Sequence, residues 1–231
     1  MNDKFITLLT DPQRTIHSYA LRRGRGALKN IKCMKDSNHF LSCEKQIHEF
    51  NASNYQKVVC EVGFGMGESL LVQAINNPHI FYLGIEVHLD GVLQLSHGIE
   101  ENCCHNLKII YGDACYVLGS LIPPKALDCV QLFFPDPWPK TKHHKRRILR
   151  LELLDAIKRS LNNSGTIHMC TDWAPYATEM IESVQLHHDF EIQEHSVNAP
   201  IGQRELTKYE KRGQKMGHDI HDLLIKLSQD C

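Results

Sequence analysis

Short apolar runs alternate with amphipathic segments along most of this chain. The apolar runs are typical of buried β-strands and lie at 57–65, 81–87, 106–114, 126–136 and 164–172. Segments with helical spacing of apolar residues lie between several of them, at 67–76, 91–103 and 146–161. Strands that alternate with helices predict βαβ units, and therefore a parallel sheet covered on both faces.

The C-terminal part follows a different pattern. Residues 189–196 and 221–228 are two further strand candidates, separated only by a loop and a short helix at 206–217. A terminal antiparallel strand on a mostly parallel sheet fits this arrangement. The sequence therefore predicts an α/β fold: one doubly wound domain of about seven strands over residues 51–231. Residues 1–50 are predicted to be a basic N-terminal extension, with a short helix around 14–23.

The composition places the chain among soluble globular proteins. Hydrophobic residues make up 42% and charged residues 23% of the sequence, which is ordinary for that class. No apolar run approaches the roughly 20 residues of a membrane span. The first residues contain an acid and no small-residue cleavage site, so we do not expect a secretory signal. The nine cysteines include no CxxC pair, which favours reduced thiols over disulfides or a metal site. We expect a cytoplasmic protein without a bound metal.

The net charge of −1 conceals two strongly basic segments. Residues 12–35 carry seven Lys/Arg and residues 138–150 carry six, and neither segment contains an acid. The other thirteen cations face all 27 acids, so the remaining residues sum to −14. A single basic run is usually a solvated surface, but two runs without an interleaved acid favour a phosphate-binding face.

The first predicted strand ends in a glycine-rich turn that follows an acid. Gly63, Gly65 and Gly67 occupy alternate positions directly after Glu61 and Val62. Glycines at this spacing allow a tight turn and close approach of a ligand to the backbone, although any tight strand-to-helix turn can produce the pattern. An acid at the turn would repel a pyrophosphate but attract an ammonium group. The turn therefore favours S-adenosylmethionine over a dinucleotide such as NAD.

The next two predicted strands also end in acids. Glu86 lies 25 residues after Glu61, at an offset typical of an acid that binds ribose hydroxyls. Asp113 ends the third strand, where it can accept a hydrogen bond from an adenine amino group. Each acid alone could be an ordinary surface residue. Three at successive strand ends predict an adenosine-cofactor site.

The fourth predicted strand leads into "PDPWPKTKHHKRR" at residues 135–147. The prolines on either side of Asp136 stiffen the backbone and prevent a helix there. Trp138 offers a flat face on which a nucleic-acid base can stack, and the alternative is a tryptophan that only covers the core. The cations that follow can reach phosphates. The fifth strand similarly ends in Asp172 and Trp173.

These motifs, and their order along the chain, resemble those of the bacterial tRNA (guanine-N7)-methyltransferase family. That family has the Rossmann-like class I methyltransferase fold. The similarity extends from about residue 14 to the C-terminus. Its most specific motif is "QLFFPDPWPKTKHHKRR". The shorter motifs are "EVGFGMGESL", "GIEVH", "GDA", "TDWAPYA" and "TKYEKRGQKMGH".

The resemblance implies transfer of a methyl group from S-adenosylmethionine to N7 of a tRNA guanine in the variable loop, conventionally position 46. It implies that Asp136 is catalytic. The positions implied to bind cofactor are Glu61, Gly63, Gly65, Gly67, Glu86, Asp113 and Asp136. Those implied to bind substrate are Lys140, Asp172, Thr207, Lys208, Tyr209 and Glu210. Those implied to contact RNA are Lys142, His143, His144, Lys145, Arg146 and Arg147.

Three other functions remain open at this stage. A methyltransferase could act on another RNA atom, a protein or a small molecule, although the basic loop after Asp136 favours RNA. A non-catalytic RNA-binding protein would not need the three strand-end acids. An NAD-dependent oxidoreductase is disfavoured by the glycine spacing. The expected partner is tRNA, with no membrane and no obligate protein partner, for a monomer or homodimer.

Overall fold

The strands that the hydrophobic pattern predicts form one mixed sheet. The computed structural model describes residues 38–202 and 204–228. Its strands are β1 (Lys57–Val62), β2 (Ile80–Glu86), β3 (Leu107–Tyr111), β4 (Leu127–Phe133), β5 (Leu161–Thr171), β6 (Phe190–Val197) and β7 (His221–Leu227). All seven lie within two or three residues of their predicted bounds.

The sheet order confirms the predicted fold class. The strands are arranged β3-β2-β1-β4-β5-β7-β6. Strands β1 to β5 pair in parallel, whereas β7 lies antiparallel between β5 and β6. The order reverses at β1, between β2 and β4, where doubly wound sheets bind ligands beyond the carboxyl ends of their strands.

Helices connect the strands and cover the sheet. They are α1 (Glu44–His48), α2 (Glu68–Asn76), α3 (Leu89–Glu101), α4 (Ala114–Tyr116) with a π-helical turn Val117–Leu121, α5 (Leu151–Ser160), α6 (Ala174–Leu186) and α7 (Lys208–Lys215). A 3₁₀ helix, Thr141–Arg146, precedes α5. The sequence did not predict α6. The helix predicted at 146–161 begins five residues later, at Leu151, because the basic residues before it form the 3₁₀ helix.

The side chains of each strand alternate between two hydrophobic cores. Cys60 and Val62 of β1 pack into the core that contains α5 and α6 residues, whereas Val59 packs on the other face with α2 and α3. This alternation follows from the two-residue period of a strand. Both faces of β1 are buried, so the β1–α2 loop is held firmly from both sides.

Residues 38–50 of the predicted extension pack against the domain. Phe40 forms an isolated parallel bridge with Ile109, and Ile47 of α1 is fully buried. The helix expected around 14–23 lies outside the described residues. No helix of the described part of the chain is both long and apolar enough to cross a membrane.

Candidate active site

The β1–α2 loop depends on three glycines in left-handed backbone conformations. Gly63, Gly65 and Gly67 have φ values of +71°, +59° and +77°. A Cβ on Gly67 would lie 2.8 Å from Leu95 of α3. The close packing of α3 on this loop also requires Gly91, where a Cβ would lie 1.9 Å from the Gly65 carbonyl oxygen.

The Glu86 carboxylate holds this loop from the end of β2. Its Oε2 accepts a hydrogen bond from the Gly65 N–H at 2.9 Å. Its Oε1 accepts hydrogen bonds from the Val87 and His88 N–H groups at 2.7 and 2.9 Å. Carboxylate oxygens have several acceptor positions, so Glu86 can hold the loop and still accept hydrogen bonds from a ligand in the cleft.

Glu61, at the end of β1, is buried and incompletely satisfied. Only 4% of its surface is exposed, and its Oε2 has no hydrogen-bond partner among the described residues. Burial, and then the charge of nearby Glu86, raise the pKa of Glu61 to about 8. A buried carboxylate oxygen without a partner is costly, and a cation in the cleft would satisfy it.

Asp113 begins α4 at the end of β3. Its Oδ1 accepts a hydrogen bond from the Tyr116 N–H at 3.0 Å, as in a helix N-cap. The adjacent Gly112 N–H donates to the Glu86 carbonyl at 3.1 Å, which ties the ends of β2 and β3 together. The second Asp113 oxygen remains available to a ligand.

These residues meet in one cleft of about 560 Å³ at the carboxyl ends of the parallel strands. The predicted site residues that line it are Glu61, Gly63, Gly65, Gly67, Glu86, Asp113, Asp136, Arg146, Asp172, Thr207, Lys208 and Tyr209. The sequence thus identified residues from six separate segments that the fold brings together. Lys140, Lys142, His143, His144, Lys145, Arg147 and Glu210 do not line the cleft.

The loop after β4 presents Asp136 at the mouth of this cleft. Asp136 is exposed, and it lies between two non-glycine residues with positive φ, Phe134 at +50° and Trp138 at +43°. Such conformations are uncommon outside glycine and cluster at functional sites. Phe134 is anchored because its N–H donates to the Cys170 carbonyl of β5 at 2.8 Å. The backbone on both sides of Asp136 is therefore fixed.

The cations after Asp136 form the exposed 3₁₀ helix and its start. Lys140, Lys142 and Lys145 are exposed to solvent, and His143 and His144 are partly exposed. Arg146 turns back towards the cleft, with its guanidinium carbon 4.9 Å from the Trp138 ring centroid. The segment presents positive charge next to the Asp136 carboxylate, as the sequence predicts.

Arg147 corrects the predicted set of RNA contacts. Only 1% of its surface is exposed. Its guanidinium pairs with Glu179 of α6, donates to the Pro137 carbonyl at 2.8 Å, and lies 4.6 Å from the Tyr176 ring centroid. Burial and these partners keep it from phosphates, so Arg147 is a structural anchor that joins the loop to α6.

The opposite wall of the cleft is formed by the start of α7. Thr207 is its N-cap and accepts a hydrogen bond from the Glu210 N–H at 3.1 Å. Tyr209 reaches across to the glycine loop, with its hydroxyl 3.9 Å from where a Gly65 Cβ would lie. The exposed Lys208 makes a cation–π contact with Tyr209, with Nζ 5.5 Å from the ring centroid.

Glu210 also corrects a prediction, because it faces away from the cleft. It is 1% exposed, and its carboxylate pairs with Arg204 at 2.5 Å. Arg204 in turn pairs with Asp222 of β7 at 2.7 Å. Glu210 is therefore part of a buried ionic network that attaches α7 to the sheet, and it does not line the cleft. Nothing in the sequence indicated Arg204, which lies outside every motif.

Asp172 is held at the cleft by a contact that the sequence did not predict. Its Oδ2 lies 3.2 Å from His218 Nδ1, in the loop after α7. Gly213 allows this approach, since a Cβ there would lie 2.9 Å from the Asp172 Cβ. Asp172 and α7 therefore pack as a unit.

One buried cluster of described residues has metal-ligand chemistry. His168, Cys170 and Asp222 bring ligand atoms within 4.8 Å of one another. Asp222 already accepts from His168 Nε2 at 2.5 Å and from Arg204 Nε at 2.8 Å. Burial opposes the charge of Asp222, but His168 and then Arg204 lower its pKa. An arginine at this carboxylate is incompatible with a second cation, so the cluster is part of the ionic network.

Comparison with known proteins gives consistent matches. A family model described as "Putative methyltransferase" matches residues 55–223. A tRNA (guanine-N(7)-)-methyltransferase of Actinobacillus succinogenes is 39% identical and covers 91% of this chain and 87% of its own length. A protein of the same name from Yersinia pseudotuberculosis is 45% identical over 73% of this chain and 72% of its own length.

Solved structures share the fold at low sequence identity. The 16S rRNA methyltransferase KamB has a TM-score of 0.55 at 14% identity, and covers 80% of this chain and 92% of its own. A 16S rRNA (adenine(1408)-N(1))-methyltransferase variant from Catenulisporales acidiphilia, solved with its cosubstrate SAM, also has a TM-score of 0.55, at 11% identity over 77% and 89% of the two chains. Both support the Rossmann-like methyltransferase fold.

Proposed function

The chain belongs to the tRNA (guanine-N(7)-)-methyltransferase family, and we propose that it transfers the methyl group of S-adenosylmethionine to N7 of a variable-loop guanine in tRNA. One observation carries the proposal. The cleft lined by Glu61, Glu86 and Asp113 opens at Asp136, and a helix of exposed cations follows directly from that carboxylate. A methyl-donor site and an RNA-binding surface are thus adjacent.

The residues of the cleft fit S-adenosylmethionine. The buried, partnerless Oε2 of Glu61 suits the ammonium group of the methionine moiety. Glu86 suits the ribose hydroxyls and Asp113 the adenine amino group. The three glycines allow the backbone to come close to the ligand. When bound, S-adenosylmethionine supplies a methyl group activated by a positively charged sulfur.

Asp136 positions the target base and stabilises charge. Guanine N7 carries a lone pair at neutral pH, so no general base is required. As the N7–carbon bond forms, the carbon–sulfur bond breaks and its electron pair returns to sulfur, so the positive charge passes to the purine. A fixed carboxylate at the cleft mouth can bind the guanine N–H edge and stabilise that charge. Asp172, held by His218, forms the other side of the base site.

The exposed lysines of the 3₁₀ helix bind the phosphates that flank the target. Lys140, Lys142 and Lys145 are directed to solvent and have no acid within their segment. Lys208 adds a cation on the opposite wall. Phosphate contacts position the RNA without reading its sequence, so recognition of one guanine depends on the shape of the tRNA and on the base site.

We also propose that the enzyme acts in the cytoplasm as a monomer or homodimer.

The experiment incubates the purified chain, without other proteins, with an unmodified tRNA transcript and methyl-labelled S-adenosylmethionine. Borohydride reduction and aniline treatment then cleave the RNA at 7-methylguanosine. We expect cleavage at a single variable-loop guanine. Label without such cleavage would point to a different target atom. No label, with tRNA still bound, would favour a binding protein over an enzyme.

A further inference from the structure

Trp138 already binds a cation in this structure. The Arg146 guanidinium carbon lies 4.9 Å from the centroid of its ring, within the range of a cation–π interaction. Both residues line the same cleft as Asp136. An indole face that accepts a guanidinium, which is planar and positively charged, has the shape and electrostatics to accept a methylated purine.

The Trp138 ring is held in place from two directions. Its backbone adopts φ +43° between two prolines, a conformation that costs a non-glycine residue free energy. The His143 ring packs against it in an edge-to-face arrangement, with centroids 5.9 Å apart and an interplanar angle of 89°. A strained backbone and a fixed ring are typical of a functional site rather than of a tryptophan that covers the core.

We propose that Trp138 stacks on the target guanine and stabilises the positive charge that the purine acquires during methyl transfer. The base takes the place of the Arg146 guanidinium, which remains on the same loop and can pair with the phosphate of that nucleotide. This inference rests on the proposed function, because only methylation at a ring nitrogen such as N7 makes the base cationic.

The charge of the product explains why an indole suits this position. A neutral guanine stacks on any aromatic ring, whereas a cationic purine gains an additional attraction that is largest for tryptophan. Interactions that strengthen as the reaction proceeds accelerate the chemical step, and those that bind substrate and transition state equally do not. Trp138 therefore contributes to the rate of transfer as well as to binding.

The test compares Trp138→Phe and Trp138→Leu with the wild type. The matched control is Trp173→Phe, because Trp173 packs against the hydrophobic core and does not line the cleft. The first measurement is the single-turnover methylation rate at saturating tRNA and cofactor. We expect Trp138→Leu to lower the rate by about three- to tenfold and Trp138→Phe to lower it less.

The second measurement is independent of activity. Unmodified tRNA and a chemically synthesised tRNA that carries 7-methylguanosine at the target position are titrated onto the cofactor-free protein, at mildly acidic pH so that the methylated base stays cationic. We expect the wild type to bind the methylated tRNA about 5- to 30-fold more tightly. In Trp138→Leu this ratio should fall by about three- to tenfold, and what remains is due to Asp136, whereas Trp173→Phe should keep the wild-type ratio.

The two measurements separate the inference from the proposed function. An affinity ratio near one in the wild type, or the same ratio in Trp138→Leu, would overturn the role of Trp138 even if the wild type methylates N7. A wild type that prefers the methylated tRNA through Trp138 but forms no 7-methylguanosine would support the stacking site and overturn the proposed activity.

Discussion

Asp136 is the residue on which the proposed transfer depends most directly. Its carboxylate is exposed at the cleft mouth, between two strained backbone positions. Asp136→Asn keeps the size of the side chain and removes its charge. We expect turnover to fall by about 10²- to 10³-fold, the usual effect of losing one preorganised electrostatic group. Cofactor affinity should be at least partly retained, because Glu61, Glu86 and Asp113 remain.

Single-turnover kinetics and calorimetric titration of S-adenosylmethionine measure these two effects separately. Asp90→Asn is the matched control, since Asp90 is exposed at the start of α3. Its rate should equal that of the wild type. Full activity in Asp136→Asn would remove Asp136 from the mechanism.

Glu61 makes the stability of the cofactor-free protein depend on pH. Its pKa rises from an ordinary 4.5 to about 8 in the folded chain. Between these values the folded state retains a proton that the unfolded state has lost. The protonated side chain therefore contributes stability that is complete below about pH 4.5 and is lost as the pH rises through about 8. Glu61→Gln has no such titration, so it should gain stability relative to wild type as the pH rises.

Urea unfolding at pH 5.5, 6.5 and 7.5 measures this difference. The free energy of unfolding should change in favour of Glu61→Gln by up to about 1 kcal/mol per pH unit. Glu101→Gln, at the exposed end of α3, provides the control and should follow the wild type. Parallel curves for Glu61→Gln and wild type would mean that Glu61 is ionised in the folded protein throughout this range.

A buried ionic network around Arg204 joins helix α7 to the sheet. The Arg204 side chain is 3% exposed and pairs with Glu210 of α7 and Asp222 of β7. Arg204→Met would leave buried Glu210 without its cation and Asp222 with only His168, and breaking a buried pair typically costs about 3–5 kcal/mol. We expect a loss of stability of that size, together with weaker tRNA binding as the wall formed by Lys208 and Tyr209 is released.

Arg212→Met is the matched control for stability, because Arg212 is exposed on the same helix. Its free energy of unfolding should remain within about 0.5 kcal/mol of wild type. Urea unfolding and tRNA filter binding check both effects. If Arg204→Met were as stable as Arg212→Met, the network would not be what holds α7.

At the scale of elements, the sequence predicted the strands better than the contacts between elements. Each of the five parallel strands contains a short apolar run and ends in, or is followed within two residues by, glycine, proline or an acid, so its bounds can be read locally. Helix α6 was not predicted; it begins "APYA", directly after Asp172 and Trp173, with a proline near its start. That proline lies in the first helical turn, where a missing N–H costs nothing.

Contacts between elements also explain two predicted site residues whose burial the sequence did not indicate, Arg147 and Glu210. Arg147 belongs to an unbroken basic run, and Glu210 to a motif shared with the family, so both were grouped with their exposed neighbours. Their burial depends on Glu179 and Arg204, which are 32 and 6 residues away in sequence. Ion pairs of this kind are tertiary contacts and leave no periodic signal in the chain.

Over the whole molecule, a nearly neutral protein must bind a polyanion. The two basic segments carry thirteen cations, and the rest of the chain sums to −14. Repulsion from the acidic body would therefore restrict how tRNA approaches, and among the described residues we expect attraction to concentrate at the loop after β4. If the proposed phosphate contacts are correct, the lysines of the 3₁₀ helix contribute to both the affinity for RNA and its dependence on salt.

Lys142→Ala/Lys145→Ala tests this distribution of charge. Each lost phosphate contact lowers the slope of log affinity against log salt by about 0.7–0.9, so the double variant should lose roughly 1.5. Lys57→Ala/Lys226→Ala removes the same charge from the other end of the strands, away from the cleft, where β1 begins and β7 ends. Its slope should not change. Equal slopes for both variants would mean that tRNA responds to net charge alone, whereas a loss confined to Lys142 and Lys145 places the phosphates beside Asp136.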